Sequence, residues 1–248
     1  MVTSFSAVDI VFRRDTLWRA ISFHNALVST NDYLVQLPAS EQEGLVVVAD
    51  ATEGHGRWTR PADQAGRTLL ASFLVRFSTQ RPEVATAAFG VALLNACQHV
   101  LPACELHWPH GIFVGGERVG GVRIDLAHDM LAVGVGIDLD MRGVSTDGAR
   151  RGSSLAEALG ADVDRWTLLS DLMLEMDAQV RRAREAPEAL FAEYRERCAS
   201  IGRMVTVRSR PGEATGRATR IDAEGHLVLD VEGRARVIVG GEVESLVS

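Results

Sequence analysis

The sequence of 248 residues contains no lysine, and all 26 of its basic residues are arginine. A guanidinium group stays protonated at any accessible pH, whereas an ammonium group can be tuned to act as a base or a nucleophile. Arginine therefore binds and polarises ligands but does not take over the acid/base chemistry of lysine. A composition bias, in which arginine replaces lysine throughout, explains the surface arginines equally well, but it does not explain what stands at individual motif positions.

Other absences narrow the class of protein. The three cysteines, Cys97, Cys104 and Cys198, include no close-spaced pair of metal-ligand type, so we expect no disulfide framework and no zinc site, only reduced and mostly buried thiols. The longest apolar runs, such as residues 130–137, are too short to span a bilayer, and no basic flank with an apolar core opens the chain. A net charge of −7 argues against a broad nucleic-acid surface. We therefore expect a cytoplasmic globular protein with no membrane or nucleic-acid partner.

Hydrophobic periodicity predicts an α+β chain with a large domain over residues 1–200 and a small β domain over residues 201–248. In the large domain, strands are predicted at 17–23, 44–49, 69–77, 106–108, 119–126 and 130–139, and helices at 30–37, 84–100, 164–184 and 187–198. A mixed sheet with helices on one side is the expected assembly. Short alternating segments after Gly202, separated by glycine-containing turns, predict a five-stranded barrel.

Four segments combine glycine and polar residues in patterns typical of ligand sites. They are Ser29-Thr30-Asn31, which opens a helix; Gly54-His55-Gly56-Arg57, extended by Arg60, in a polar loop; His107 to Gly111 with Arg118 to Ile124; and Gly134-Val135-Gly136-Ile137-Asp138. Alternating glycines let backbone amides approach an anion, and arginines pair with phosphate. Each segment alone has a plainer interpretation, such as a helix cap or a turn. Their order along the chain is more specific than any one of them.

Together the segments resemble the biotin protein ligase family, from about Ala26 to the C-terminus. The family pattern S-T-N stands at residues 29–31, Q-T-A-G-R-G-R at 51–57, K-W-P-N-D at 107–111, K-x-A-G-I at 118–122 and G-x-G-I-N at 134–138. The resemblance is to actinobacterial members that lack a DNA-binding domain. It implies the biotin/lipoate protein ligase catalytic fold, a class II aminoacyl-tRNA synthetase-like mixed sheet with helices, followed by an SH3-like β barrel.

The resemblance also implies a two-step acyl transfer that uses ATP and magnesium. A small carboxylic acid attacks the α-phosphate of ATP to give an acyl-adenylate, and an amine of a carrier domain then displaces AMP. The protein contributes mainly positioning and charge stabilisation. We expect Arg118 to hold the acyl carboxylate and His107 to supply ionisable character, which predicts a step in activity between about pH 5.5 and 7.5. A monomer or a homodimer is expected.

The resemblance assigns the other candidate residues to two halves of a site. Acyl-substrate binding is expected from Ser29, Thr30, Asn31, Thr52, His55, Gly121 and Arg123. Nucleotide binding is expected from Gly54, Gly56, Arg57, Trp58, Arg60, His110 and Asp138. No residue is assigned to a metal site, and a metal pair of His107 and His110 next to Asp138 is left open.

The departures from the family pattern fall on ligand positions. Ala51 and His55 replace a glutamine and an arginine that help bind the ureido ring of biotin, and Arg118 and His107 replace lysines. Arg123 stands where an apolar residue lines the biotin pocket, although strand alternation could instead turn it to solvent. Three interpretations follow: a ligase or acyltransferase with an acid more polar than biotin, an ordinary biotin ligase, and an inactive ligand-binding homologue. We expect the first, with biotin a poor ligand.

Overall fold

The computed structural model describes residues 15–38, 43–53, 64–77, 81–144 and 153–246 of the chain. The strands of this part are β1 (Ala20–Leu27), β2 (Leu45–Thr52), β3 (Thr68–Val75), β4 (Glu105–His107), β5 (Gly111–Val114), β6 (Glu117–Ala127), β7 (Met130–Asp138), β8 (Met204–Ser209), β9 (Gly212–Ile221), β10 (Leu227–Val231), β11 (Arg234–Ile238) and β12 (Glu242–Leu246). Its helices are α1 (Thr30–Val35), α2 (Pro82–Val100), α3 (Leu155–Leu159), α4 (Arg165–Glu185) and α5 (Pro187–Arg197).

The strands form two sheets. The seven-stranded sheet has the order β1-β2-β3-β7-β6-β5-β4, in which β1 and β2 pair in parallel and the other neighbours are antiparallel. The five-stranded sheet has the order β11-β10-β9-β8-β12 and is antiparallel throughout. The predicted α+β class with a mixed sheet is confirmed, and the five strands predicted after Gly202 are present.

Both faces of the large sheet are covered, which shows most clearly along β3. Leu69, Ala71, Phe73 and Val75 belong to the main core, which includes residues of α2 and α4, whereas Leu74 packs with Leu34 of α1 in a smaller core. Successive residues of a strand point to opposite faces, so α1 lies on the other side of the sheet from the long helices. The expectation of helices on one side only is therefore wrong. The face that carries Leu74 is called the α1 face below.

The first strand begins later than predicted because the apolar residues before it belong to the core. Trp18 is buried, and its Nε1 donates a hydrogen bond of 2.6 Å to the carbonyl of Met173 in α4. The backbone amide of Leu17 donates to Asp177 Oδ1 at 2.9 Å. These contacts hold the segment against α4, and pairing with β2 begins only at Ala20.

The five-stranded sheet is attached to the turn between β4 and β5. The indole Nε1 of Trp108 donates to the carbonyl of Gly225 at 2.9 Å, and the amide of Val243 donates to the carbonyl of Trp108 at 3.1 Å. Trp108 thus joins the two sheets through both its side chain and its backbone. All three cysteines are buried. None of the helices in the described part of the chain combines the length and apolar character needed to cross a membrane.

Candidate active site

Ser29 caps α1 as predicted and fixes where the helix begins. Its backbone is extended, with φ −161° and ψ 138°, and its Oγ accepts a hydrogen bond of 3.2 Å from the amide of Asp32. A side-chain oxygen at this position satisfies one of the helix's unpaired amides. The cap places the next two residues, Thr30 and Asn31, against the sheet, where both are buried.

The carboxamide of Asn31 is bound on every side by the sheet. Its Nδ2 donates to Asp125 Oδ2 at 2.7 Å and to the carbonyl of Ala132 at 3.2 Å, and its Oδ1 lies 2.6 Å from the hydroxyl of Ser72. It also rests on Gly134, where a Cβ would come within 2.9 Å of Asn31 Cγ. With these contacts in place, Asn31 anchors α1 and has little capacity left for a ligand.

Ser72 is a member of this network that the sequence reasoning missed. Its Oγ lies 2.6 Å from Asn31 Oδ1 and 2.7 Å from Thr30 Oγ1. A hydroxyl has one proton, so Ser72 donates to Asn31 and accepts from Thr30. The available signal was a single polar residue within the apolar run 69–75, where a fully buried hydroxyl requires a partner.

Arg123 lies on the α1 face but pairs with its own strand. Its Nε and Nη2 donate to the two carboxylate oxygens of Asp125 at 2.7 and 3.2 Å, and 66% of its side chain is exposed. Burial alone would raise the pKa of Asp125, but the hydrogen bonds from Arg123 and Asn31 outweigh it and lower this pKa. A charged, neutralised pair therefore stands at the position where the family has an apolar residue.

Arg118 reaches the α1 face because β6 carries one extra residue. Phe113 pairs with Arg118 whereas Ile112 pairs with Gly120, so Val119 forms a bulge. A bulge re-aims the side chains beside it. The guanidinium of Arg118 consequently lies close to Gly121, where a Cβ would come within 3.2 Å of Cζ.

Two glycines make room for this guanidinium. Gly111 and Gly121 face each other across β5 and β6, and a Cβ at Gly111 would lie 3.6 Å from Arg118 Cζ. Arg118 Nε donates to the carbonyl of Gly120 at 3.1 Å, and Nη1 forms an ion pair with Glu242 of β12. Only 8% of the Arg118 side chain is exposed. The sequence predicted Arg118, Gly121 and neighbouring His110, but not Glu242.

His110 lies beside Arg118 at a cavity between the two sheets. The cavity has a volume of about 640 Å³, and its lining includes Glu83 of α2, Val122 of β6 and Glu242 of β12. Burial, together with the nearby charge of Arg118, lowers the pKa of His110 to about 4. Nδ1 of His110 is buried, with no hydrogen-bond partner among the described residues. A neutral imidazole therefore faces the guanidinium at neutral pH.

Asp138 ends β7 on the α1 face. It is 7% exposed, and its Oδ1 accepts a hydrogen bond of 2.7 Å from Thr68 Oγ1 on β3. Thr52, another candidate, is 7% exposed at the end of β2, opposite Leu27 of β1. The carboxylate of Asp138 and the guanidinium of Arg118 thus lie on one face, on the neighbouring strands β7 and β6.

Comparison with known proteins identifies the family. The chain is 31% identical over 241 residues to the biotin–[acetyl-CoA-carboxylase] ligase of Mycobacterium tuberculosis, covering 92% of this chain and 90% of that relative. The chain belongs to the biotin protein ligase family. Residues 200–245 also match the family model described as biotin protein ligase C terminal domain. The expectation that the chain is a ligase is confirmed by this membership.

Solved structures agree on the fold. The biotin protein ligase from Aquifex aeolicus in complex with biotin and ATP is 22% identical, with a TM-score of 0.76 over 92% of this chain and 99% of that one. A biotin protein ligase-like protein of unknown function from Silicibacter is 19% identical, with a TM-score of 0.65 over 90% of this chain and 96% of that one. The predicted biotin protein ligase fold is confirmed.

His107, which aligns with a lysine of the family pattern, is completely buried. Its Nδ1 lies 3.0 Å from Ser200 Oγ, its Nε2 lies 3.4 Å from Glu105 Oε2, and its ring packs on Phe113. Burial lowers its pKa, so it is neutral near pH 7. With both ring nitrogens engaged, His107 ties β4 to the segment before β8. This placement gives no support to the catalytic role or to the pH step expected from it.

The glycine-arginine loop of the family pattern lies outside the described residues. This applies to Gly54, His55, Gly56, Arg57, Trp58 and Arg60. The two flanks of the loop are joined, because the amide of Gly66 donates to the carbonyl of Asp50 at 3.1 Å. Arg165, at the start of α4, pairs with the Asp50 carboxylate and donates to the carbonyl of Ala49 at 3.2 Å. The sequence analysis did not single out Arg165, which holds the base of this loop.

The suggested metal pair is not assembled in the described part of the chain. One group of three potential metal-ligating side chains is found there, with its ligand atoms within 4.8 Å of one another. It consists of Asp222, Glu224 and His226, in the turn between β9 and β10. His107 and His110 belong to no such group with Asp138. The imidazole of His107 is instead engaged by Ser200 and Glu105.

Proposed function

We propose that the chain activates a carboxylic acid with ATP and transfers the acyl group to an amine of a carrier domain. The observation that supports this most directly is the guanidinium of Arg118, held close to Gly111 and Gly121 on the α1 face. It stands at the position where the family has the lysine next to the acyl carboxylate. A guanidinium binds carboxylate and phosphate oxygens through paired N–H donors, so it suits both ends of the reacting bond.

In the first step a carboxylate oxygen of the acid attacks the α-phosphorus of ATP, and pyrophosphate leaves. Arg118 would hold the carboxylate and offset negative charge as the two anionic groups approach each other. In the second step the amine nitrogen attacks the acyl carbon and AMP leaves with the bonding electrons. Arg118 stays protonated throughout, so the proton lost by the amine passes to bulk water and not to this residue.

The residues of the site fit the ATP and magnesium that the family pattern implies. Magnesium prefers oxygen ligands and is usually held by one or two carboxylates together with substrate phosphates. Asp138 supplies a carboxylate, oriented by Thr68, where the family pattern has an asparagine. A bound magnesium ion would neutralise phosphate charge, and the arginines of the loop, Arg57 and Arg60, remain our candidates for the nucleotide.

We further propose that the acid is more polar than biotin. The pocket position of the family that is normally apolar carries Arg123, paired with Asp125 on the α1 face. A charged pair suits a ligand with polar groups, because an apolar ligand that covers the pair would remove its water without returning hydrogen bonds. Biotin itself is the second candidate, favoured by the 31% identity to the mycobacterial biotin ligase.

ATP–pyrophosphate exchange with purified protein and magnesium tests the proposal. The acids offered are biotin and a panel of hydroxy and dicarboxylic acids. A polar acid should support exchange more efficiently than biotin, and Arg118→Ala should lower kcat/KM for that acid at least tenfold, as expected for the loss of about 1.5–3 kcal/mol. Arg203→Ala, which removes an exposed arginine paired with Glu105, is the matched control.

Other results of the exchange assay would contradict the proposal. A submicromolar KM for biotin, or efficient biotinylation of a carrier domain, makes the chain an ordinary biotin ligase. Binding of ATP without exchange for any acid makes it a binding module. Exchange that is indifferent to Arg118→Ala removes this residue from the site.

A further inference from the structure

The five-stranded sheet contributes a side chain to the site. Glu242, the first residue of β12, forms an ion pair with Arg118 Nη1, and the exposed fractions of the two side chains are 34% and 8%. The glutamate comes from the C-terminal sheet and the arginine from the seven-stranded sheet. The acyl-carboxylate half of the proposed site therefore includes residues from both.

The backbone that carries Glu242 is fixed on both sides. After it, the amide of Val243 donates to the carbonyl of Trp108 at 3.1 Å. Before it, Gly241 has φ +135°, and a Cβ there would come within 3.0 Å of Ser209 Cβ. A left-handed backbone this close to a neighbouring strand requires glycine. Glu242 is thus presented to Arg118 from a defined position.

The guanidinium of Arg118 is held by acceptors from both sheets in the described part of the chain. Nε donates to the carbonyl of Gly120, and Nη1 pairs with Glu242, which together determine the rotation of the planar group. Its third nitrogen, Nη2, then lies over Gly121 on the α1 face. Building on the proposed function, we infer that Glu242 is a positioning residue, which orients Arg118 toward the carboxylate of the acid.

The chemistry of arginine permits this arrangement. Its N–H donors point in several fixed directions, so one guanidinium can bind Glu242 and a substrate carboxylate at different nitrogens. A lysine has one nitrogen, which the two carboxylates would have to share. With an arginine at position 118, Glu242 and the acid can bind different nitrogens of one side chain.

Steady-state pyrophosphate exchange separates positioning from general stabilisation. Glu242→Ala should raise the KM for the acid at least about tenfold and leave the KM for ATP within about twofold. The lost contact is a charge-assisted hydrogen bond to Arg118, which is proposed to bind the acid and not ATP. Glu242→Gln should recover most of the effect, since its amide oxygen still accepts from Nη1. Glu244→Ala is the matched control, because Glu244 lies on the same strand and pairs with Arg208 instead.

A second measurement does not depend on turnover. Phenylglyoxal labels accessible guanidinium groups, and peptide mass spectrometry resolves the rate at each arginine. Labelling of Arg118 should be at least about threefold faster in Glu242→Ala than in the wild type, while Arg203, paired with Glu105, keeps its rate. Faster labelling at both arginines would indicate unfolding, in which case Glu242→Gln decides. This variant loses the charge but keeps an acceptor, so Arg118 alone should be labelled faster than in the wild type and more slowly than in Glu242→Ala.

The outcomes separate the two proposals. Unchanged labelling of Arg118 in Glu242→Ala, or an unchanged KM for the acid in that variant, overturns the positioning role. Faster labelling of Arg118 alone in Glu242→Ala supports the contact and its orienting effect. If the wild type also shows no exchange with any acid, the proposed ligase function fails while the contact stands.

Discussion

The carboxamide of Asn31 lies against the bare Cα of Gly134, so that a Cβ at position 134 would come within 2.9 Å of Asn31 Cγ and 3.2 Å of its Nδ2. The carboxamide has no room to move aside, because Ser72 and Asp125 hold it from the neighbouring strands. The asparagine of the S-T-N pattern therefore packs directly against the first glycine of the G-x-G pattern, and the contact requires both residues.

We expect Gly134→Ala to lower the free energy of unfolding by about 1–3 kcal/mol, the range for overpacking a buried site. The added methyl group must displace Asn31 and break its hydrogen bonds. Urea unfolding measures the effect. Gly240→Ala is the control, because nothing lies within 4 Å of its Cβ position, and it should change stability by no more than about 0.5 kcal/mol. Equal stability of both variants would contradict the contact.

Gly121→Ala should act on the acid rather than on the fold. Its methyl group would come within 3.2 Å of Arg118 Cζ and push the guanidinium away from the α1 face. We expect kcat/KM for acid-dependent pyrophosphate exchange to fall at least about tenfold. In an Arg118→Lys background the same substitution should cost less, because the slender lysine avoids the methyl group, and neighbouring residues are expected to be non-additive. Additive losses would show that the two residues act separately.

His110 predicts how stability depends on pH. Its pKa of about 4 in the folded chain lies below its ordinary value of 6.5, because burial disfavours the charged form. The unfolded chain therefore binds more protons, so the contribution is complete above pH 6.5 and is lost as the pH falls toward 4. At about 1.4 kcal/mol per unit, this amounts to at most about 3.5 kcal/mol.

Unfolding in urea at several pH values between 7 and 4, for the wild type and His110→Gln, checks this prediction. The variant should lose less stability on acidification than the wild type. His107, whose pKa is also lowered by burial, acts in the same direction in both proteins and cancels in the comparison. Parallel pH profiles would contradict the assignment.

Asp138→Asn tests the proposed magnesium site. If the carboxylate helps to hold the ion, replacing it with a neutral amide should raise the magnesium concentration for half-maximal exchange by about threefold or more, because magnesium favours charged oxygen ligands. The amide oxygen can still accept from Thr68, so the fold is kept. Asp140→Asn is the control, since Asp140 is engaged by Arg142. A magnesium requirement that is the same in all three proteins would remove Asp138 from the metal site.

Arg57→Ala tests the loop assigned from the sequence. Loss of one charged phosphate contact costs about 1.5–3 kcal/mol, so calorimetry should show at least tenfold weaker binding of ATP. Arg195→Ala, on α5 next to Phe191, provides a control far along the chain. Equal affinity in the wild type and Arg57→Ala would exclude the loop from the nucleotide site.

Local patterns predicted the regular elements of this fold well. The apolar run of β3 and the helical spacing of α2 lead directly to their observed positions. The start of β1 was misplaced because Leu17 and Trp18 are as apolar as strand residues, and only their partners in α4 show that they belong to the core. Contacts between residues far apart in the chain decide such cases.

The candidate site was predictable where the local sequence limits what a residue can do. A serine directly before a helix favours the N-cap, as Ser29 does, and the missing side chain of Gly121 leaves room for Arg118. Arg118 reaches its place through a bulge at Val119, which alternation along a strand does not reveal. Glu242 was missed because nothing near it in the sequence indicates its partner.

The backbone bond between Val243 and Trp108 has a consequence for local unfolding. The amide of Val243 is bonded to a carbonyl of the seven-stranded sheet's β4–β5 turn, so it becomes exposed to solvent only when β12 moves away from Trp108. Amide hydrogen exchange at this position therefore reports the opening of one sheet from the other, and not fraying within the C-terminal strands. A ligand that holds Arg118 and Glu242 together would slow exchange there without touching Val243.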